Sequence, residues 1–283
     1  MRGRGHAFLA AFQFLSRFPV RAELDFTPEL LKRSTRYYPM VGAAIGVVLS
    51  LISCLLAQVL PGLVSAVIVL IVWVYLTGGL HLDGWMDTAD GLLSYRSRDK
   101  MLEIMKDSRV GAMGVIACVL LLLLKTALIA SLLEQAALPA ALLTAPLWSR
   151  WFMVYAMAAW PQARGPEGLA GRFGGMRYKS ALLAGLWALV LSGAGLGLCV
   201  FFGYGAGSDI GSVLGSHLGS SSGSGWIKLG ILWIVLPLAA WSVGTYVSSR
   251  ISRKLGGLTG DVYGALNEGL EVMLLLIVTG VTH

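Results

Sequence analysis

An all-helical, polytopic membrane protein of about seven spans is the fold predicted for this chain, on three observations. Hydrophobic residues fill 56% of its 283 positions and charged residues only 13%, about half of the roughly 25% that a soluble domain carries. Mean hydropathy is +0.74, which excludes both a water-soluble globule and a disordered chain. The apolar residues fall in continuous runs of about 20 rather than in alternation, which selects helices over a barrel.

The spans are expected at 39–60, 63–81, 110–133, 136–160, 181–204 and 226–247, with a shorter seventh at 266–281. Charge placement supports this count independently. Seven lysines and arginines precede residue 39, five lie in 82–109, four in 161–180 and three in 248–265, which is 19 of the 22. Seven alternating spans bring all four segments to one side, and the connections at 61–62, 134–135 and 205–225 carry no basic residue. The positive-inside rule then puts the N-terminus and the basic connections in the cytoplasm and the C-terminus outside.

The chain reads as a single transmembrane domain over 1–283, opened by a cytoplasmic or interfacial segment at 1–38. The apolar stretch 7–15 is brief, contains Gln13 and runs into Arg17 and Pro19 without a small-residue cleavage site. An interfacial helix with Phe8, Phe12 and Leu15 toward lipid is expected there instead of a signal peptide. Thirty-six glycines, Gly42-x-x-x-Gly46 among them, suit close helix packing. Cys54, Cys118 and Cys199 stand in separate apolar runs with no CxxC, against both a disulfide and a thiolate-zinc site. The Gly/Ser-rich run 205–225 reads as a flexible external loop.

Chemistry concentrates in the cytoplasmic connection 82–109. Asp83, Asp87 and Asp90 are spaced i, i+4 and i+7, which on a helix aligns three carboxylates in one stripe. Like charges so placed repel by a few tenths of a kcal/mol per exposed pair, and by more when desolvated. A solvated acidic face offset by nearby arginines is the plain structural reading. Clustering at a membrane edge favours a bound hard cation, and Mg²⁺ takes one or two carboxylates together with substrate phosphates and waters. Arg96, Arg98, Lys100, Lys106 and Arg109 lie close by to clamp phosphate oxygens. His81 is a candidate base or partner to the stripe, although a histidine at a helix end is commonly satisfied locally.

A second polar block runs from Gly256 to Glu271. Its glycines let backbone approach a ligand, and Asp261, Glu268 and Glu271 add carboxylates, with Asn267 beside them. Ionisable groups within a span are expensive and read as functional by default; an interfacial capping acid is the simpler alternative. Lys125 and Arg150 lie inside the third and fourth spans, where they either neutralise buried carboxylates or bind a ligand. Lys228, near a span end, can snorkel.

The blocks HLDGWMDTADG (81–91) with KDSRVGAMG (106–114), and GGLTGDVYGALNE (256–268), closely resemble the cobalamin synthase family of adenosylcobinamide-GDP ribazoletransferases. RFPV (17–20) and YPMVG (38–42) are similar to that family's opening, and the likeness covers about residues 10 to 275. The resemblance implies a magnesium-dependent enzyme of the cell inner membrane with its site facing the cytoplasm. It would join α-ribazole, or its 5′-phosphate, to adenosylcobinamide-GDP and release GMP. On that reading Asp83, Asp87 and Asp90 hold Mg²⁺ against the diphosphate, and Asp107 is a further ligand or the base, with His81 also a catalytic candidate. Lys106, Arg109 and Arg96 meet the phosphates, and Asp261, Asn267 and Glu268 contact substrate from the second block.

Partners expected are the corrinoid nucleotide, α-ribazole and the bilayer. Other cobalamin-pathway enzymes and a second copy are further candidates, and nucleic acid is excluded. A CDP-alcohol phosphatidyltransferase is the nearest rival, but its D-G-x-x-A-R pattern fails where Asp87-Thr88 stands in place of Ala-Arg. A transporter would place acids near the midplane and show repeated halves; no repeat is present.

Overall fold

The computed structural model describes residues 2–165, 168–205 and 224–283. Its helices are α1 (Arg2–Leu15), α2 (Pro28–Ser34), α3 (Tyr38–Leu56), α4 (Gly62–Thr77), α5 (Leu80–Leu92) and α6 (Arg98–Ile104). There follow α7 (Ala112–Glu134), α8 (Leu138–Ala159), the single turn α9 (Gly168–Gly171), α10 (Tyr178–Gly205), α11 (Ser224–Leu255) and α12 (Gly260–Thr282). Among the described residues extended pairing is limited to one parallel bridge, Gln162 with Leu258.

Each of the seven predicted runs is largely helical, the first ending at Leu56 rather than at residue 60. Five helices are long and apolar enough to cross a bilayer unaided, six when α4 and α5 are counted together. Helix α8 is as long as a span, but it is the central post of the bundle: 17 of its 22 residues are buried. The outer helices turn large apolar side chains outward, Leu51, Leu55, Ile71, Leu120, Leu182 and Ile234 among them. A surface of this extent suits hydrocarbon and not water.

Helix α3 lies against α8 at the two glycines predicted for close packing. A Cβ on Gly42 would overlap the Pro146 carbonyl, and one on Gly46 the Leu142 carbonyl. Overfilling such a contact typically costs about 1–3 kcal/mol. Gly46→Leu is therefore expected to lower the melting temperature of the solubilised protein, whereas Gly230→Leu, with open space around it, leaves it unchanged.

Three expectations are corrected. The second span was expected to run on through His81, but α4 ends at Thr77 and α5 departs at 90°. Gly78 and Gly79 both adopt left-handed backbone, with φ of 65° and 71°, a conformation costly for residues with a Cβ. Their N–H groups close the end of α4 on Tyr75 and Val74, and the Arg17 N–H donates to the Leu76 carbonyl at 2.7 Å. Helix α5 thus turns away from α4 instead of continuing its direction, and the connection 82–109 is largely helical.

Leu15, expected toward lipid, is 1% exposed. Helix α1 packs on α2 and α3, because Ala7, Ala10, Ala11 and Leu15 form an apolar stripe that is buried, while Phe8 stays partly exposed against Phe12 and Tyr37. The last span starts earlier than expected, at Gly260, where the Thr259 hydroxyl accepts from the Val262 N–H at 3.2 Å. The Gly/Ser-rich loop lies, apart from its ends, outside the described residues.

Candidate functional site at the crossing of α5 and α12

Two sequence blocks separated by more than 160 residues meet where α5 crosses the start of α12. Glycines set the approach: a Cβ on Gly84 would come within 2.6 Å of the Asp261 carbonyl oxygen, and one on Gly264 within 3.1 Å of the His81 carbonyl. Backbone therefore meets backbone, and Asp83 and Asp87 of α5 are brought beside Asp261 in the first turn of α12. Burial, followed by the charges of Asp83, Asp261 and Asp90, pushes the Asp87 carboxyl up to about 6 against the opposing pull of Arg164.

Arg164 was not singled out by sequence. The Pro161 carbonyl accepts from Leu258 N–H at 2.8 Å, and the Leu258 carbonyl from Ala163 N–H at 3.0 Å. That stitch carries Arg164 to Asp261, 3.4 Å from its Oδ2, while Arg164 also donates to the Leu102 carbonyl. Arg98 ties the same corner together by donating to the carbonyls of Leu255 and Ala163. Nothing in the local sequence around Arg164 distinguishes it from the other basic residues of its loop.

A cleft of about 80 Å³ opens at this crossing. Its lining is mixed, with Asp83, Asp261, His81 and Tyr263 beside Phe14, Phe173, Met153 and Met157. The cleft thus combines two carboxylates, one of them paired with Arg164, with apolar and aromatic side chains.

The remaining predicted residues are placed as follows. Asp90 lies on the stripe but is engaged: its Oδ2 accepts from Gly111 N–H at 2.8 Å and its Oδ1 from Gly114 N–H at 2.7 Å. It closes the N-terminus of α7, where a carboxylate is favoured by the exposed N–H groups and the helix dipole. Asp107 and Arg109 form a two-pronged pair on the surface, at 3.1 and 2.7 Å. Those hydrogen bonds hold the Asp107 carboxyl down at about 2, too weak a base to draw a proton from an alcohol at neutral pH. Arg96 and Lys106 are exposed.

Glu268 and Asn267 do not line the cleft; they belong to a buried ion network below it. Lys125 Nζ donates to Glu268 at 3.0 Å and to Glu271 at 2.6 Å, and Arg150 donates to Glu271 at 2.8 Å. Glu268 and Glu271 lie about 12 and 16 Å along α12 from Gly260, at about 1.5 Å per residue. The choice left open for Lys125 and Arg150 is resolved: they neutralise buried carboxylates, two charges of each sign, with Lys125 also 4.0 Å over the Trp73 ring. Asn267 Nδ2 donates to Glu271 and sits 3.2 Å from His81 Nδ1. An amide nitrogen only donates, so His81 Nδ1 accepts and the ring proton lies on Nε2. His81 is the residue shared by the network and the cleft.

Fold and site together define a multi-pass helical membrane enzyme with a carboxylate–arginine cleft at one rim of the bundle. The chain belongs to the cobalamin-5-phosphate synthase family, whose sequence profile matches residues 7–279. Among curated relatives, the adenosylcobinamide-GDP ribazoletransferase of Brevibacillus brevis is 34% identical over 97% of this chain and 98% of the relative. The proteins of the same name from Desulfitobacterium hafniense and Roseiflexus sp. are 37% and 36% identical, covering 94% and 95% of this chain and 93% and 87% of those proteins. No solved structure matches the chain.

Proposed function

We propose that this enzyme transfers the cobinamide phosphate of adenosylcobinamide-GDP to α-ribazole, or its 5′-phosphate, with release of GMP. It would work in the cell inner membrane with the cleft facing the cytoplasm. The observation that carries this reading is the convergence of Asp83, Asp87 and Asp261 with Arg164 where the two motif blocks cross. The basic connections support the orientation, since the cleft lies at the end of the bundle where they gather.

Products and substrates dictate the bonds. An α-ribazole hydroxyl attacks the phosphorus on the corrinoid side of the diphosphate, the P–O bond to GMP breaks, and the hydroxyl proton leaves to a base. Asp87, whose carboxyl is raised to about 6, is suited to take that proton. Arg164 stabilises phosphate charge from the side of Asp261. Phe14 and Phe173 in the lining offer flat apolar faces to the base of α-ribazole.

Crowding of Asp83, Asp87 and Asp261 fits a divalent cation, since repulsion among them is what such an ion relieves. Among the described residues no group of three or more His, Cys, Asp or Glu side chains could hold a metal unaided. Mg²⁺ would therefore be held by Asp83 and Asp261 together with the substrate's phosphates, the usual mode for this ion. When bound, it would neutralise diphosphate charge. Asp90, already committed to the start of α7, is left out of that set.

Asp87→Asn is expected to reduce GMP release by at least ~100-fold, within the usual range for losing a general base, with the elution profile of the solubilised protein unchanged. Near-normal turnover would remove Asp87 from the reaction. A base acts deprotonated, so a carboxyl raised to about 6 predicts that activity is full above neutrality and falls as pH drops through that value. The pH–rate profile should show one acidic limb with an apparent pKa no higher than about 6, moving lower as Mg²⁺ rises. Asp83→Asn and Asp261→Asn are expected to raise the Mg²⁺ requirement, and an unchanged requirement in both would dismiss the ion's assignment.

A further inference from the structure

Helix α5 has a second face. Trp85, Thr88, Ala89 and Leu92 follow a helical stripe on the side opposite Asp83, Asp87 and Asp90. They line a half-open cavity of about 390 Å³ between α5, α7, α11 and α12, whose walls are almost wholly apolar. Val243, Gly244, Val247 and Ile251 of α11 form its other side, and Gly269 of α12 contributes at its floor.

The apolar stripe of α11 continues past the cavity as a basic one. Positions 243, 247, 250 and 254 lie on one side of a helix, so Val243 and Val247 are followed toward the rim by Arg250 and Lys254. Lys254 Nζ donates to the carbonyl of Leu92, itself a lining residue, at 2.9 Å, which fixes it at the mouth. Among the described residues neither Arg250 nor Lys254 forms an ion pair. Each lies instead by an exposed aromatic ring, Arg250 at 5.9 Å from Tyr246 and Lys254 at 5.6 Å from Tyr95. Exposed tyrosines with unpaired basic residues mark the headgroup level of a bilayer.

We propose that this crevice is a binding site for one anionic phospholipid, an acyl chain lying between α5 and α11 and the phosphate meeting Arg250 and Lys254. An apolar slot alone would accept any lipid tail. Two cations at its mouth with no carboxylate to neutralise them select a negatively charged headgroup. The site is distinct from the carboxylate cleft, and holds whatever reaction is carried out there.

The test uses the whole protein, stripped of lipid in a non-ionic detergent and titrated with phosphatidylglycerol or with phosphatidylcholine of identical chains, with adducts read by native mass spectrometry. A one-to-one phosphatidylglycerol adduct is expected, at least tenfold tighter than that of phosphatidylcholine. Arg250→Gln with Lys254→Gln should abolish that preference, and Val247→Trp, which fills the slot from α11, should remove the adduct of either lipid. Unchanged elution on size exclusion shows that each variant is folded, and the two act independently, so failure of one to fold leaves the other decisive. Equal retention of both lipids by the native protein, full retention by Val247→Trp, or displacement of the lipid by α-ribazole would overturn the proposal.

Discussion

Glu271→Gln is expected to destabilise the protein more than any other single change, by about 3–5 kcal/mol, the usual consequence of leaving a buried charge uncompensated. Glu271 accepts from Lys125, Arg150 and Asn267 at 2.6, 2.8 and 3.1 Å and is fully buried. A neutral side chain there leaves two buried cations facing one carboxylate, Glu268. Removing one charge of each sign is a different matter. Lys125→Met combined with Glu268→Gln preserves the Arg150–Glu271 pair, and exchange of a buried ion pair for neutral groups is often close to neutral. Melting of the solubilised proteins, followed by tryptophan fluorescence, compares the two. If the double variant melted below Glu271→Gln, charge balance would not be what holds α7, α8 and α12 together.

Gly84→Ala is expected to cut GMP release about 100-fold while the helices stay in place. The added methyl meets the backbone of Asp261, which has no rotamer to yield with, so α5 must move away from α12 and carry Asp83 and Asp87 with it. Displacing reacting groups by about 1 Å is enough for a loss of that order. Gly264→Ala, whose Cβ would meet the His81 carbonyl at 3.1 Å, is expected to be milder. Activity assays on both, with circular dichroism as the control, test whether the crossing distance sets the rate. Full activity in Gly84→Ala would show that the carboxylates need not be held so close.

Which residues lie in helices could be read from the chain because that depends on local composition. Runs such as 110–133 and 181–204 have no stable alternative in hydrocarbon, where every backbone group must be satisfied within its own segment. The Asp83–Asp87–Asp90 stripe was likewise visible, since helical spacing is a local property. Division of labour within it was not. Asp90 differs from its neighbours only because the backbone N–H groups of Gly111 and Gly114 reach it, a contact across 21 or more positions that leaves no trace at Asp90 itself. Arg164 was hidden for the same reason, since its pairing with Asp261 depends on the short bridge between Gln162 and Leu258.

His81 shows how a single backbone decision reassigns a residue. Read as the end of a span, it belongs to the rim; with Gly78 and Gly79 both left-handed, it enters the next helix, buried against Asn267. Lys125 and Arg150 announced by their mere presence in apolar runs that partners existed, because an unpaired charge there is prohibitively costly. They could not say which acids answered them.

By itself, then, the sequence determined that the chain is helical and membrane-embedded, and it determined its family and a short list of candidate acids, all properties of composition, period and motif. Only the tertiary structure decided which of those acids share a cleft, which cap a helix and which are neutralised in the core. Electrostatic roles depend on distances of a few ångströms between groups far apart in the chain, and those distances are set by where two glycine-faced helices touch.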